Sequence, residues 1–360
     1  MLTEKLQSPI KGRGTPDKID PRYLHYTRET VDDGWGYGDD EEKQRIPTTV
    51  TVEKPRTIIS RNQSPDIPFE ASINPYRGCE HGCIYCYARP THAYMDLSPG
   101  IDFETKLFAK PNAADLLRVE LGKPGYQCTP MALGTNTDPY QPIERDWQIT
   151  RRIIEVLSEC DHPLTIVTKS WLVERDIDLL APMAKKNLTQ VFVSITTLDT
   201  TLARKLEPRA TAPHRRLETL AHLHEAGIPT GVMFAPVIPA LNDTEMETVL
   251  TQSADAGVDS AGYVMLRLPH EVKILFREWL ETHVPLKAKH IMNMVRDIRG
   301  GKDNDPHFKT RMRGQGVYAE IIKKRFQQVC KRLGLNKKRF ILDTAKFSPP
   351  IKKGDQLSLF

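Results

Sequence analysis

Three cysteines, Cys79, Cys83 and Cys86, stand at C-x3-C-x2-C spacing in one short run, with Gly78 before the first and Gly82 before the second. Such a loop offers three thiolates to one metal centre. An electron-carrying [4Fe–4S] cubane takes four cysteines. Three leave one iron with an open position, and an open position marks a catalytic rather than a structural metal site. The two glycines let the backbone fold closely around the group they surround. Tyr85 directly precedes the last cysteine. A second reading of the same residues is a Cys3His zinc knuckle completed by His81 or His92, although zinc sites more often pair two short halves across a longer gap. A disulfide framework suits the chain less well. Six cysteines in 360 residues, with no apolar N-terminal stretch, read as a protein of a reducing, cytoplasmic compartment.

At these residues the chain resembles the radical S-adenosylmethionine (SAM) superfamily. The resemblance implies a [4Fe–4S] cluster on Cys79, Cys83 and Cys86, whose open iron chelates the amino and carboxylate groups of SAM. One electron, from a donor such as flavodoxin or ferredoxin, then splits the sulfonium to a 5'-deoxyadenosyl radical.

The elements that must position this loop read as alternating strands and helices. Strand-like runs fall at 71–76, 129–135, 164–169, 191–196, 231–237 and 262–266, with helical patterns at 143–158, 172–185, 214–226 and 245–256. Strands recurring with helices between them predict βαβ units and a parallel sheet. Gly227 and Gly257 follow two of the helices where a left-handed cap is expected. About six units fit, short of the eight of a closed barrel. A doubly wound open sheet is the general alternative. The resemblance implies an α/β fold of the partial (β/α)6 radical SAM barrel kind over 56–268. A flexible, polar N-terminal arm (1–55) precedes it, draped over the body. A helical C-terminal cap (269–345), with helices at 271–283 and 316–333, and a tail (346–360) follow it.

Ligands in such sheets bind at the carboxyl ends of the strands. The second strand ends in Thr135-Asn136-Thr137-Asp138-Pro139, polar where a buried strand stays apolar. Thr135, Asn136 and Asp138 are the candidates there for the methionine amine, and Asp138-Pro139 also suits a turn. Lys169 at the third exit and Arg209 in Glu207-Pro208-Arg209 are candidate partners for the SAM carboxylate. Ser194 at the fourth exit is placed for a ribose. Ile238, beyond the fifth strand, offers an apolar surface for adenine.

Together, Cys79–Arg89, the Thr137–Glu144 stretch, Thr168-Lys169-Ser170 and Glu207-Pro208-Arg209 are similar to the branch of spore photoproduct lyase relatives. That family repairs a thymine dimer in DNA, returning a hydrogen atom from a cysteine. Here Cys128 opens the second strand and Thr135 closes it, so the two lie roughly 20 Å apart at about 3.3 Å per residue. Cys128 is therefore expected at the far end, and Cys160 and Cys330 read as core thiols. No cysteine donor is evident.

Two features concern partners. Net charge is +5, and residues 331–353 hold eight Lys or Arg against one Asp, which suits either a solvated face or a phosphate backbone. The last five residues, Gln356-Leu357-Ser358-Leu359-Phe360, resemble the bacterial sliding-clamp-binding peptide, with Gln356, Leu357, Leu359 and Phe360 as its anchors. No apolar run is long enough to cross a bilayer. The expectation is a bacterial cytoplasmic radical SAM enzyme acting on nucleic acid such as DNA. Radical modification of a peptide or small molecule is the other enzymatic reading. A non-catalytic iron–sulfur or zinc protein that contacts DNA is a third.

Overall fold

The computed structural model describes residues 10–15, 19–23, 46–338 and 340–350. Ten strands run through them: β1 (Thr49–Val52), β2 (Ile59–Arg61), β3 (Ala71–Ile73), β4 (Tyr76–Arg77), β5 (Lys106–Ala109), β6 (Met131–Leu133), β7 (Leu164–Thr168), β8 (Thr189–Ser194), β9 (Thr230–Val237) and β10 (Ser260–Met265). The main sheet has the order β10-β9-β8-β7-β6-β3-β2. β3 and β6 to β10 are parallel, and β2 adds antiparallel to β3.

That order decides between the two folds open to the sequence. A doubly wound sheet reverses its strand order at a switch point. Here each parallel strand lies beside its predecessor without reversal, so right-handed crossovers carry every helix to one face and the sheet winds as a barrel does. It stops at six parallel strands, leaving β10 and β2 as separate edges. The result is the expected partial barrel of six parallel strands, a half-barrel open between β10 and β2. Its strands bury Leu164, Ile166, Val191, Val193, Val232, Phe234 and Met265 in one apolar core. A small second sheet, β1-β5-β4, stands next to it.

Several local expectations shift for identifiable reasons. The run 71–76 is two strands, because the chain leaves the main sheet at Ile73 and Tyr76–Arg77 joins β5. The helix expected at 143–158 is broken at Gln148, whose φ is +49°. The Glu144 carboxylate accepts from Thr150 N and Arg151 N, at 3.0 and 3.3 Å, and so caps the helix Ile149–Glu159. The pattern at 172–185 begins with a 3-10 turn, Trp171–Asp176, ahead of the helix Ile177–Lys185. Gly227 and Gly257 do take left-handed conformations, at φ +73° and +87°. The helix Pro285–Asp297 was not anticipated; it packs on Val272–His283 through Ile291, Met292 and Val295.

The arm is not free of the body where it is described. Arg13 and Thr15 are buried. Farther along, Arg22 pairs with Glu271 at 2.9 Å, and Tyr23 stacks on Tyr94. At the other terminus, residues 340–350 lie along the amino-terminal end of the half-barrel. Phe347 packs against Tyr126 and His162, and Ser348 N donates to Cys160 O at 2.9 Å. The Gln356–Phe360 peptide falls outside the described residues. No described helix is long and apolar enough to cross a membrane.

Candidate radical SAM site

The three cysteines sit beyond β3 and β4, at the carboxyl end of the half-barrel. Cys79 and Cys83 are buried, Cys86 is half-buried, and none forms a disulfide. Burial raises the Cys79 thiol and pushes Cys83 up to about 12. Thiols in this setting stay protonated until a cation takes them, which suits metal ligation. The loop backbone is correspondingly tight. Gly78 and Gly82 have φ of +76° and +66°, and a Cβ on Gly82 would come within 2.8 Å of Glu104 Oε2.

Two sets of contacts hold the loop. Beneath it, Arg89 is fully buried and donates to the carbonyls of Cys83 and Gly100, both at 2.9 Å, and to Glu104 Oε1 at 2.6 Å. Glu104 Oε2 accepts from Gly14 N at 2.8 Å, and Arg13 Nη1 donates to Glu104 O at 2.9 Å. Alongside it, Thr137 Oγ1 and Gln141 Nε2 donate to Gly78 O, and Glu80 N donates to Gln141 Oε1. Neither Arg89, Glu104 nor Gln141 stands out in the sequence as a functional residue. The one signal is their chemistry, since charged and amide side chains so fully buried must be paired.

The anticipated residues fall into two groups. Asp138 works as a tie between elements. It accepts from Thr168 Oγ1, Lys169 N and Tyr140 N at 2.7, 2.8 and 2.9 Å, and lies 3.3 Å from His81 Nδ1. Burial alone would raise its pKa, but His81 and these donors hold it at about 2. Thr135 Oγ1 and Asn136 N both donate to Asn74 Oδ1, at 3.1 and 2.9 Å, tying the β6 exit to that of β3. Arg209 turns to Glu80 in the cysteine loop, at 3.1 Å.

The second group gathers beside Cys83. Tyr85, Ile238 and Cys83 share one apolar cluster with Leu206, Leu266 and Leu268. Ile238 is fully buried in that cluster and donates its backbone N–H to Asn242 Oδ1. The Tyr85 hydroxyl lies on Glu207 and Thr196, and Thr196 Oγ1 donates to Glu207 Oε1 at 2.6 Å. Arg216, fully buried, donates to the other Glu207 oxygen and to Ser194 O. Against the penalty of burial, Arg216 and Lys169 hold Glu207 at about 2. Lys169 is half-buried, with Nζ 5.9 Å from the Tyr85 ring centroid and no ion pair among the described residues. Burial works to lower its pKa, yet nearby Cys83 and Glu207 carry it above the usual lysine range. The lysine is a charged ammonium held near a thiol ligand, open on one side.

The zinc alternative gains nothing from this arrangement. His81 is turned to Asp138, and His92 is packed against Phe103 with Nε2 on Lys106 O. Among the described residues no three His, Cys, Asp or Glu groups converge closely enough to hold a single metal ion. Cys128 precedes β6 at its amino-terminal end, away from the site, while Cys160 and Cys330 are buried in the main core.

A half-barrel with a three-cysteine loop at its carboxyl end is the architecture of a SAM-cleaving iron–sulfur enzyme. The radical SAM superfamily model matches residues 73–252, and the chain belongs to that superfamily. Membership implies a [4Fe–4S] cluster and SAM. An uncharacterized protein of Mycobacterium bovis is 39% identical over 227 residues, 62% of this chain and 67% of that one. Another, from Methanocaldococcus jannaschii, is 31% identical over 175 residues, 48% of this chain and 62% of that one. Among solved structures, spore photoproduct lyase complexed with dinucleoside spore photoproduct aligns with a TM-score of 0.56 at 16% identity. A variant of that lyase gives 0.55 at 17%; both alignments cover 79% of this chain and 80% of the other. At such identity the likeness is one of fold.

Proposed function

We propose that this protein is a radical SAM enzyme that binds a [4Fe–4S] cluster on Cys79, Cys83 and Cys86 and acts on nucleic acid. The observation that carries the chemistry is the three-thiol loop, largely buried, near the ammonium of Lys169, which makes no ion pair among the described residues, at the carboxyl end of the half-barrel. When bound and reduced, the cluster supplies the electron that cleaves SAM to a 5'-deoxyadenosyl radical. This chain's residues do the rest. Lys169 offers a point charge for the SAM carboxylate. Glu207, fixed by Arg216, holds the Tyr85 ring in place. Ile238 and its apolar neighbours exclude water beneath the adenine.

Three observations support nucleic acid as the target. One solved structure of similar fold holds a dinucleoside photoproduct. A structural neighbour with a TM-score of 0.51 has SAM bound together with that same ligand. At the mouth of this half-barrel the Arg267 guanidinium lies over the exposed Tyr87 ring. The described part of the basic run at 331–353 lies elsewhere, since it begins at the end of the helix Gly316–Leu333 and returns to the amino-terminal side of the strands through Asn336 and Asp259. With Cys128 also on that side, the reaction we propose returns no hydrogen from a protein cysteine.

The test is anaerobic reconstitution followed by incubation with dithionite, SAM and oligonucleotides. About four irons and four sulfides per chain, with 5'-deoxyadenosine formation stimulated by nucleic acid, are expected. Zinc without labile sulfide would overturn the cluster assignment. Equal 5'-deoxyadenosine formation with and without nucleic acid would overturn the target.

A further inference from the structure

The last strand of the half-barrel runs out through Leu266, Arg267 and Leu268. Leu266 and Leu268 are buried in the cluster that holds Cys83 and Tyr85, and alternation along an extended chain turns Arg267 the other way. Its guanidinium lies over the Tyr87 ring, 5.3 Å from the centroid. Tyr87 directly follows Cys86, is 46% exposed, and donates its hydroxyl to Thr135 O at the β6 exit. Arg267 thus stands at the mouth, reaching from the last strand to the tip of the cysteine loop.

Little inside the protein satisfies this guanidinium. Nη1 reaches Met312 Sδ at 3.8 Å, a weak acceptor, and Nε is buried without a hydrogen-bond partner. Arg267 makes no ion pair among the described residues. Its charged neighbours add to the imbalance. Arg299 is buried and, among the described residues, donates to the carbonyls of Met265, Leu266, Thr310 and Arg311. The nearby carboxylate, Asp66, is taken up by Arg311 Nε and Nη2, at 2.7 and 2.5 Å, and by Lys309 N. Next to this pair Phe308 is 51% exposed, with the Arg311 guanidinium 4.6 Å from its ring centroid. A half-buried guanidinium without an anion is unfavourable. Its planar fork matches a phosphate bidentately, and exposed rings beside arginines are stacking platforms for bases.

We propose that Arg267 binds a phosphodiester of a single-stranded substrate at the mouth of the half-barrel, with Phe308 stacking an adjoining base. The proposal rests on the nucleic-acid reading above and deepens it by placing the strand between the cysteine loop and the 307–313 segment. It assigns to Arg267 and Phe308 a role that nothing in their sequence context suggests.

Fluorescence anisotropy of a labelled single-stranded oligonucleotide against the reconstituted holoprotein tests it. Arg267→Ala should weaken binding about tenfold or more and lower the slope of log K against log salt by about 0.7. Phe308→Ala should weaken it roughly fivefold or more. Iron content and SAM affinity should match the wild type in both. Should Arg267→Ala lose iron, Arg267→Lys provides the same contrast, because an ammonium cannot fork onto a phosphate. Equal binding by wild type and the Arg267 variant overturns this inference and leaves the nucleic-acid reading standing. No binding by the wild type overturns both. Loss of SAM affinity with oligonucleotide binding unchanged moves Arg267 to the cofactor and overturns the proposal.

Discussion

Lys169, at a strand exit, and Arg209, in Glu207-Pro208-Arg209, are both candidates in the sequence for the SAM carboxylate, and the structure separates them. Arg209 is bonded to Glu80, so removing it loosens the cysteine loop. Lys169 has an aromatic ring, a thiol and, farther off, the Glu207 carboxylate for neighbours, but no ion pair among the described residues. Lys169→Ala should therefore weaken SAM binding about tenfold or more, the loss expected for a charge-assisted bond, with iron content intact. Arg209→Ala should act through cluster retention. Isothermal titration of SAM beside iron analysis distinguishes them, and the reverse pattern would exchange their roles. The cysteines were legible because their ligation depends on local spacing alone. Glu207 and Arg216 were not. Their pairing is made between a loop and the helix Pro213–Glu225, and it takes on meaning only when Tyr85, from another element, is brought against Glu207. Asp138 was legible as both turn and ligand; the structure gives it a local turn bond from Tyr140 N and, beyond either reading, a tie to the β7 exit through Thr168 Oγ1 and Lys169 N.

At the scale of the element, the cysteine loop cannot hold its shape by itself. Its two glycines take positive φ, and its carbonyls are gathered by Arg89 from below. Arg89 depends on Glu104, and Glu104 in turn binds Gly14 N. A Cβ on Gly14 would stand 1.9 Å from Gly82 O, so the arm packs directly on the loop at a point where no side chain fits. From sequence the arm reads as a polar appendage, because its composition offers no core of its own. Beneath the cysteine loop it contributes the Gly14 backbone and Arg13 to a core belonging to another element. Glu104→Ala leaves the Arg89 guanidinium buried without its anion, a change that costs about 3–5 kcal/mol. Gly14→Val should disturb the same contact from the other side. Both variants should show lower iron content after reconstitution and a lowered melting temperature. Retention of full iron content by both would mean that the loop is held by Thr137 and Gln141 alone.

Across the whole molecule the half-barrel has two ends with different work. The carboxyl end collects the cysteine loop, Lys169 and the arginine-lined mouth. The amino-terminal end collects Cys128, His162 and the described C-terminal stretch, where Phe347 and Ser348 anchor the chain. The strands were legible from their regular spacing, but the sequential pairing that makes a half-barrel was not, because a doubly wound sheet alternates strands and helices in the same way. The division of labour between ends was not, because the basic run at 331–353 and the mouth arginines look alike as composition. This division bears on the final five residues, which we propose bind a replication sliding clamp. The described chain ends at Pro349-Pro350, just past an anchor on the end opposite the cysteines. Deleting residues 351–360 should abolish binding to purified clamp, for which a short linear peptide gives micromolar affinity, about −8 kcal/mol. SAM cleavage by the truncated protein should match that of the full chain, since every anchoring contact through Ser348 is kept. Substituting Leu359→Ala together with Phe360→Ala should reproduce the loss of clamp binding, because those two apolar side chains are the anchors. Calorimetric titration of clamp into the full chain, the truncation and the double variant measures this. Equal heats for all three would leave the pentapeptide without a partner.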